Sequence, residues 1–415
     1  MGPARFGKKI GGTFLLAMLF ATALFPVPAG AEGVRIDTIP QLRVEERFDT
    51  NVYDTPDGEV GSLGTRVVPG LAIRFTAPDD VKLQFSGRYE RTWYHDSDAR
   101  DADDKTWDLR VESSGAWRLS PTFSIRPSVY YLRTPDAYTR TQLVPVGDPT
   151  LPPLSITNYG TAETDEFGGG LAFEYLATPN LSFGINGNYR TQSFPGDNTM
   201  QFGLEDSTEY GGGLSISYLV TPRSKLGIVG SMQHYTYDLD VDTNSYFAGI
   251  LFGYQFSPVL RLDASVGGSM VREDDREGVE GRKDTSPSGS VILQYKTPDS
   301  DARFFTSALY TSGSGYGETE RQITAGFSFL SRLSPEWSWN FSAAYQDSKS
   351  VFTEDAVSIK SLYGNAGIAY NPWQWVTFEG RLSLDRQDSS GTFGTTTENY
   401  SAAVGVTLGK SLNLY

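Results

Sequence analysis

Apolar and polar residues alternate along most of this chain. Leu181, Phe183, Ile185, Gly187 and Tyr189 are interleaved with Ser182, Gly184, Asn186, Asn188 and Arg190, and the same period of two runs through Val81–Tyr89, Trp337–Tyr345 and Val376–Leu384. A period of two puts successive side chains on opposite sides of an extended backbone, so each segment predicts a strand with one apolar and one wet face. These strands run to about ten to fourteen residues, where a strand of an ordinary globular domain has about five or six.

A second pattern punctuates the first: an aromatic residue ends a strand and a proline turn follows. Phe75 precedes Pro78, Trp117 precedes Pro121, Tyr175 precedes Pro179, and Tyr218 precedes Pro222. Tyr254 then precedes Pro258, Tyr295 precedes Pro298 and Tyr370 precedes Pro372, with Pro335 after Phe329 and Leu333 as a looser eighth copy. Proline beside Ser, Thr, Asp or Asn presets a tight turn and ends a ladder. The spacing leaves room for two long strands and one wider loop between successive turns. Two strands between successive turns, plus two before the first turn and two after the last, predict eighteen, with short turns and both termini on one side. The first predicted strand covers residues 34–53, the fourth 105–119 and the last 397–414.

Long two-faced strands in one uniform series, with aromatics at their ends, predict an all-β transmembrane antiparallel barrel. Aromatic rings at both interfaces mark such barrels, and lipid offers no partner to an open sheet edge, so the sheet must close. Beyond the N-terminus nothing resembles the apolar run of about 20 residues that a membrane helix needs; charged residues make up 20% and mean hydropathy is −0.33.

Residues 1–31 read as an export signal. Arg5, Lys8 and Lys9 precede the apolar stretch Ile10–Phe25, and Ala29-Gly30-Ala31 supplies small residues for cleavage. Residues 32–415 then form the barrel domain. The net charge of −15 becomes about −18 once those three basic residues leave, which argues against nucleic acid as a partner. Cysteine is absent, which excludes disulfides, thiolate metal sites and thiol-attached haem. No cofactor, metal or catalytic site is expected.

The wet strand faces carry Lys82, Arg88, Arg126, Arg190, Arg261, Arg303 and Arg381 together with Glu90, Asp263, Glu379 and Asp385. Strand register aims them into the lumen of a barrel, where a charged lining guides anionic or other polar solute. The same residues could instead pair with one another, as Arg261 with Asp263 or Glu379 with Arg381. The third wide loop, about residues 133–165, is the longest and is stiffened by Pro145, Pro149, Pro152 and Pro153, among others; it is a candidate constriction. Acidic runs in other loops, Asp96–Asp104 and Glu273–Glu280, suit either plain solvation or divalent cations bridging lipopolysaccharide. Only His95 and His234 offer imidazole. His95 beside Asp96 suggests an omptin-like hydrolase, but adjacent strand residues face opposite ways.

The chain end, Thr407-Leu408-Gly409-Lys410-Ser411-Leu412-Asn413-Leu414-Tyr415, resembles the C-terminal signal read by the outer-membrane assembly machinery of Gram-negative bacteria, with Thr407, Gly409, Leu412 and Leu414 in its places and Tyr415 as the terminal aromatic. Residues Ile39–Tyr53, with Pro40-Gln41-Leu42 and Asp49-Thr50-Asn51, followed by Pro69-Gly70-Leu71, resemble the outer-membrane β-barrel porins associated with exopolysaccharide and capsule export. That resemblance implies a pore for a secreted polysaccharide, working with periplasmic export components. A general diffusion porin, or a passive barrel enclosing a partner such as a cytochrome, remains compatible with the same residues.

Overall fold

In the computed structural model the described residues are 35–52, 59–76, 82–102, 105–113, 117–134, 164–194, 205–238, 242–274, 281–311, 319–352, 358–390, 394–410 and 412–413. They contain β1 (Arg35–Asp49), β2 (Ser62–Thr76), β3 (Lys82–Tyr94), β4 (Lys105–Ser113), β5 (Trp117–Ser120), β6 (Phe123–Thr134) and β7 (Thr164–Thr178). There follow β8 (Leu181–Ser193), β9 (Ser207–Thr221), β10 (Ser224–Tyr237), β11 (Thr243–Ser257), β12 (Leu260–Glu273), β13 (Lys283–Lys296) and β14 (Ser300–Thr311). The last are β15 (Glu320–Arg332), β16 (Trp337–Ser350), β17 (Ser358–Trp373), β18 (Val376–Ser390), β19 (Thr396–Gly409) and β20 (Leu412–Asn413). One short 3-10 turn, Ser97–Ala102, follows β3.

All twenty segments belong to one sheet, and every pairing is antiparallel. β4 and β5 share β6 as partner, and β19 and β20 share β1. The wall therefore has eighteen strands, as the turn spacing predicts. It closes where Gln41–Asp49 of β1 pair with Ser401–Gly409 of β19. Three expected boundaries shift. The first strand ends at Asp49, because Val52 N–H turns to bond the Val60 carbonyl. The fourth is described as β4 and β5, on either side of residues 114–116, which lie outside the described residues, and the last is divided into β19 and β20.

Four of the proline turns share a local cause: a hydroxyl sits just before the proline. Thr178 Oγ1 accepts from the amides of Asn180 (3.3 Å) and Leu181 (3.0 Å), and Thr221 Oγ1 does the same for Arg223 and Ser224. Ser257 serves Val259 and Leu260, and Ser334 serves Glu336 and Trp337. The proline presets φ while the hydroxyl satisfies the amides that leave the ladder.

The apolar face points outward. Leu214, Ile250, Val266, Leu382 and Val404 are each more than 60% exposed. The buried side chains are mostly polar, inverting the order of a water-soluble protein. Tyr246 and Tyr254 on β11, and Tyr210 and Tyr218 on β9, bracket this apolar stretch. Eight residues span roughly 27 Å along a strand before tilt is taken out, the scale of an apolar band about 25 Å tall between aromatic girdles. At one rim Arg91 stacks on Trp93, 4.7 Å from the ring centroid.

Candidate pore lining

Period-two alternation sends Arg43, Glu45, Arg47 and Asp49 of β1 to the face opposite Leu42, Val44 and Phe48, which are exposed on the outer wall. Neighbouring strands add residues in register, and one ion-pair network results. Arg66 of β2 donates from Nη1 to Glu45 (2.7 Å) and from Nη2 to Glu90 of β3, and all three side chains are at least nine-tenths buried. Arg43 donates to Glu45 (2.6 Å) and to Glu379 of β18 (3.0 Å). Arg381 of β18 approaches Glu45 at 3.7 Å and Glu379 at 3.9 Å. Thr407 of β19 donates to Glu379. Three arginines thus face three glutamates across β18, β19, β1, β2 and β3, and their formal charges cancel. Toward the wide-loop end, Arg47 grips Asp49 (2.6 Å), which also accepts from the buried Tyr94 hydroxyl.

A second cluster lies across β6 to β10. Arg190 makes a forked contact with Glu166 (3.1 and 3.3 Å), and the Tyr130 hydroxyl donates to the same carboxylate. Asn188 bridges Glu209 and Gln233.

Of the other expected lumen residues, Arg88, Arg126, Arg261, Arg303 and Asp385 occupy polar slots opposite apolar residues of their strands. Arg126 pairs with Glu174 (3.1 Å), Arg261 with Asp263 (2.7 Å) and Arg303 with Asp301 (3.1 Å). Arg126 and Arg261 keep about half of their side-chain surface exposed to the lumen. Arg88 sits in register between Gly70 and Asp108, and Asp385 between Tyr363 and Asn399. Lys82 begins β3; its side chain lies outside the described residues. Pro145, Pro149, Pro152, Pro153 and almost all of the third wide loop lie outside them too, as do Leu414, Tyr415 and the export signal.

Most of the network was not among the residues singled out from sequence: Arg43, Glu45, Arg66, Tyr130, Glu166, Asp301 and Glu209. The signal was present, since each occupies a polar slot of an alternating strand. What was lacking was register. Glu166 lies 24 residues before Arg190 in the chain, yet only one strand away.

The Thr65 hydroxyl donates to Glu46 (2.8 Å) and lies 2.9 Å from His95 Nε2. Asp96 accepts from the Asp98 amide. His234 packs against Tyr210 with the rings inclined at 45°, and contacts Asn244. Among the described residues no three acidic or imidazole groups gather as a metal site would require.

Comparison with solved structures finds barrels of low identity. They include Pseudomonas aeruginosa OpdK with vanillate (11% identity, 91% of this chain and 99% of that one, TM-score 0.44). P. aeruginosa OccK2 (OpdF) in complex with glucuronate gives 14%, 92%, 99% and 0.44, and Acinetobacter baumannii OccAB3 gives 12%, 91%, 99% and 0.43. Comparison with curated proteins finds no match. Residues 65–251 match the model of a family described as "Putative outer membrane beta-barrel porin, MtrB/PioB". The match includes Pro69-Gly70-Leu71 and begins after Ile39–Tyr53. The chain folds as an eighteen-stranded antiparallel β-barrel, and over residues 65–251 it resembles the outer-membrane β-barrel porins.

Proposed function

We propose that this porin is a conduit for hydroxyl-rich polar solute, with a secreted exopolysaccharide as the substrate class and periplasmic export components as its suppliers. One observation carries the reading. The inner-face arginines Arg43, Arg66, Arg126, Arg190, Arg261, Arg303 and Arg381 all contact carboxylates, and Ser, Thr, Asn and Gln occupy much of the remaining polar face. Such a wall offers hydrogen-bond donors and acceptors with little unpaired fixed charge. It suits a neutral or weakly charged sugar polymer better than a strongly anionic one, whose passage a continuous positive track would favour. Eighteen strands also enclose more space than side chains alone fill.

The test is conductance in planar bilayers with added oligosaccharide. Neutral glucan oligomers are expected to interrupt the current at lower concentration than polyuronate oligomers of equal length. Deletion of residues 145–153 is expected to raise conductance if the third wide loop narrows the path. No conductance from either form would favour a barrel that encloses a partner. Normal polysaccharide secretion in a strain lacking the gene would remove the export assignment and leave a general diffusion porin.

A further inference from the structure

The barrel wall has a seam where two neighbouring strands part. β13 pairs with β14 over eight positions, from Lys296↔Asp301 to Gly289↔Ala308, and there the register stops. Beyond that point both strands keep their other neighbours. Lys283–Ser288 continue along β12, and Leu309–Thr311 continue along β15. Segment 283–288 is therefore a local sheet edge inside a closed barrel.

Its sequence suits that position. Pro287 lacks an amide hydrogen and belongs on an edge or bulge rather than between two paired strands. Gly289, at the parting point, has φ of +157°, and a Cβ there would run into the Ser265 carbonyl oxygen.

The far ends of β14 and β15 lean over the lumen. Tyr310 O accepts from the Tyr235 hydroxyl of β10 (3.3 Å), four strands away. Thr319, just before β15, meets Thr243 (2.6 Å) and Tyr237 (3.3 Å). Tyr310 recrosses the gap: its hydroxyl, in a residue only 4% exposed, donates to Asp284 Oδ2 at 2.7 Å.

The two sides of this seam differ in chemistry. On the outer wall an apolar groove of about 540 Å³ runs past Tyr246, Ala248, Gly268, Met270, Thr285 and Pro287. It lies level with the outer aromatic ring that Tyr246 marks, where lipid acyl chains meet headgroups. On the inner side Ser288 and Ser307 are more than nine-tenths buried, and neither hydroxyl has a partner among the described residues. A buried hydroxyl without a partner carries a desolvation cost that a polar ligand group removes.

We propose that the β13–β14 seam is a lateral port for a single-chain amphiphile, which enters from the outer leaflet with its chain in the groove and its polar head on Ser288 and Ser307. Tyr310 is the latch, because its hydroxyl reaches Asp284 across the opening. This route is distinct from axial passage of polar solute and does not depend on it.

The test uses the full barrel in nanodiscs, with a diazirine-bearing dodecanoic acid as photoprobe and mass spectrometry to map the adducts. Adducts are expected at least threefold denser on Lys283–Thr311 than on the β18–β19 wall, including at inward-facing Ser307. Tyr310→Phe, which removes the hydroxyl and little else, is expected to raise them at least threefold more without changing conductance. In parallel, amides of 283–288 that point away from β12 are expected to exchange hydrogen at least tenfold faster than those of Ser265–Met270; this reads the seam in the native protein should the variant fail to assemble. Adducts spread evenly over the wall, adducts confined to the outer groove, or exchange as slow as in β12 would each overturn the proposal.

Discussion

Arg66 and Glu45 meet at 2.7 Å with side chains 8% and 1% exposed, and they hold β2 to β1 through charge as well as through the backbone ladder. Arg66 also neutralises Glu90 on its other side. Removing one member of a buried pair leaves an uncompensated charge, at a cost of roughly 3–5 kcal/mol, whereas removing the whole set costs far less. Arg66→Met is therefore expected to lower unfolding stability by about 3 kcal/mol, as measured by urea titration from lipid vesicles. Changing Arg66 and Glu90 together to Gln removes one charge of each sign and is expected to recover most of that loss. A double variant less stable than the single one would show that the charges themselves, rather than their balance, sustain the wall.

Reversing charge in the lumen should convert a balanced wall into a selective one. Arg126→Glu, Arg190→Glu and Arg303→Glu together set new carboxylates beside Glu174, Glu166 and Asp301. Reversal potentials in a salt gradient are expected to show weak selectivity in the native pore and at least a fivefold shift toward cations in the variant. Unaltered selectivity would mean that these residues do not line the conducting path.

Acid should tighten the loop end of the β8–β9 hairpin. Burial raises the pKa of Asp206, and Asp238 and Asp165 add to that, while the hydrogen bond from the Phe194 amide opposes it. A carboxyl raised in the folded state contributes stability that is fully present below its unfolded pKa, and that stability is lost as pH rises through the folded value. Exchange at the Phe194 amide is thus expected to speed up, beyond the intrinsic base-catalysed rate, as pH rises from the ordinary carboxylate range toward neutrality. Asp206→Asn keeps an acceptor for that amide and should abolish the extra pH dependence. An identical profile in the variant would assign the effect to another group.

Sidedness is tested by tags. A tag after Asn180, in the tight turn between β7 and β8, is expected to be hidden on intact cells. One inserted at about residue 199, in the wide loop before β9, is expected to be labelled. The opposite pattern would invert the orientation and place the wide loops in the periplasm.

What could be read in advance follows the range of the forces involved. Turns such as Thr178-Pro179 are set by a hydroxyl and a ring within four residues, and strand faces follow from a period of two, so the number of strands was legible. The pairing of Arg190 with Glu166, or of Arg43 with Glu379, depends on how strands are staggered. The seam was hidden for a different reason. Asp284, Ser286, Ser288 and Ser290 keep the alternation of an ordinary strand, and that pattern reports which face is wet, never whether both edges are paired.

The closing seam between β1 and β19 constrains how the molecule comes into being. Gln41 to Asp49 find partners in Ser401 to Gly409, and the Thr50 amide adds a bond to the Tyr400 carbonyl. The first-made strand must therefore wait for nearly the whole chain before its outer edge is satisfied, and until then two strands' worth of amides and carbonyls stay unpaired. Lipid tolerates no such edge, so insertion and closure are bound into one event. A chain shortened at the β19 end should yield no narrower pore but an uninserted periplasmic species, open to degradation.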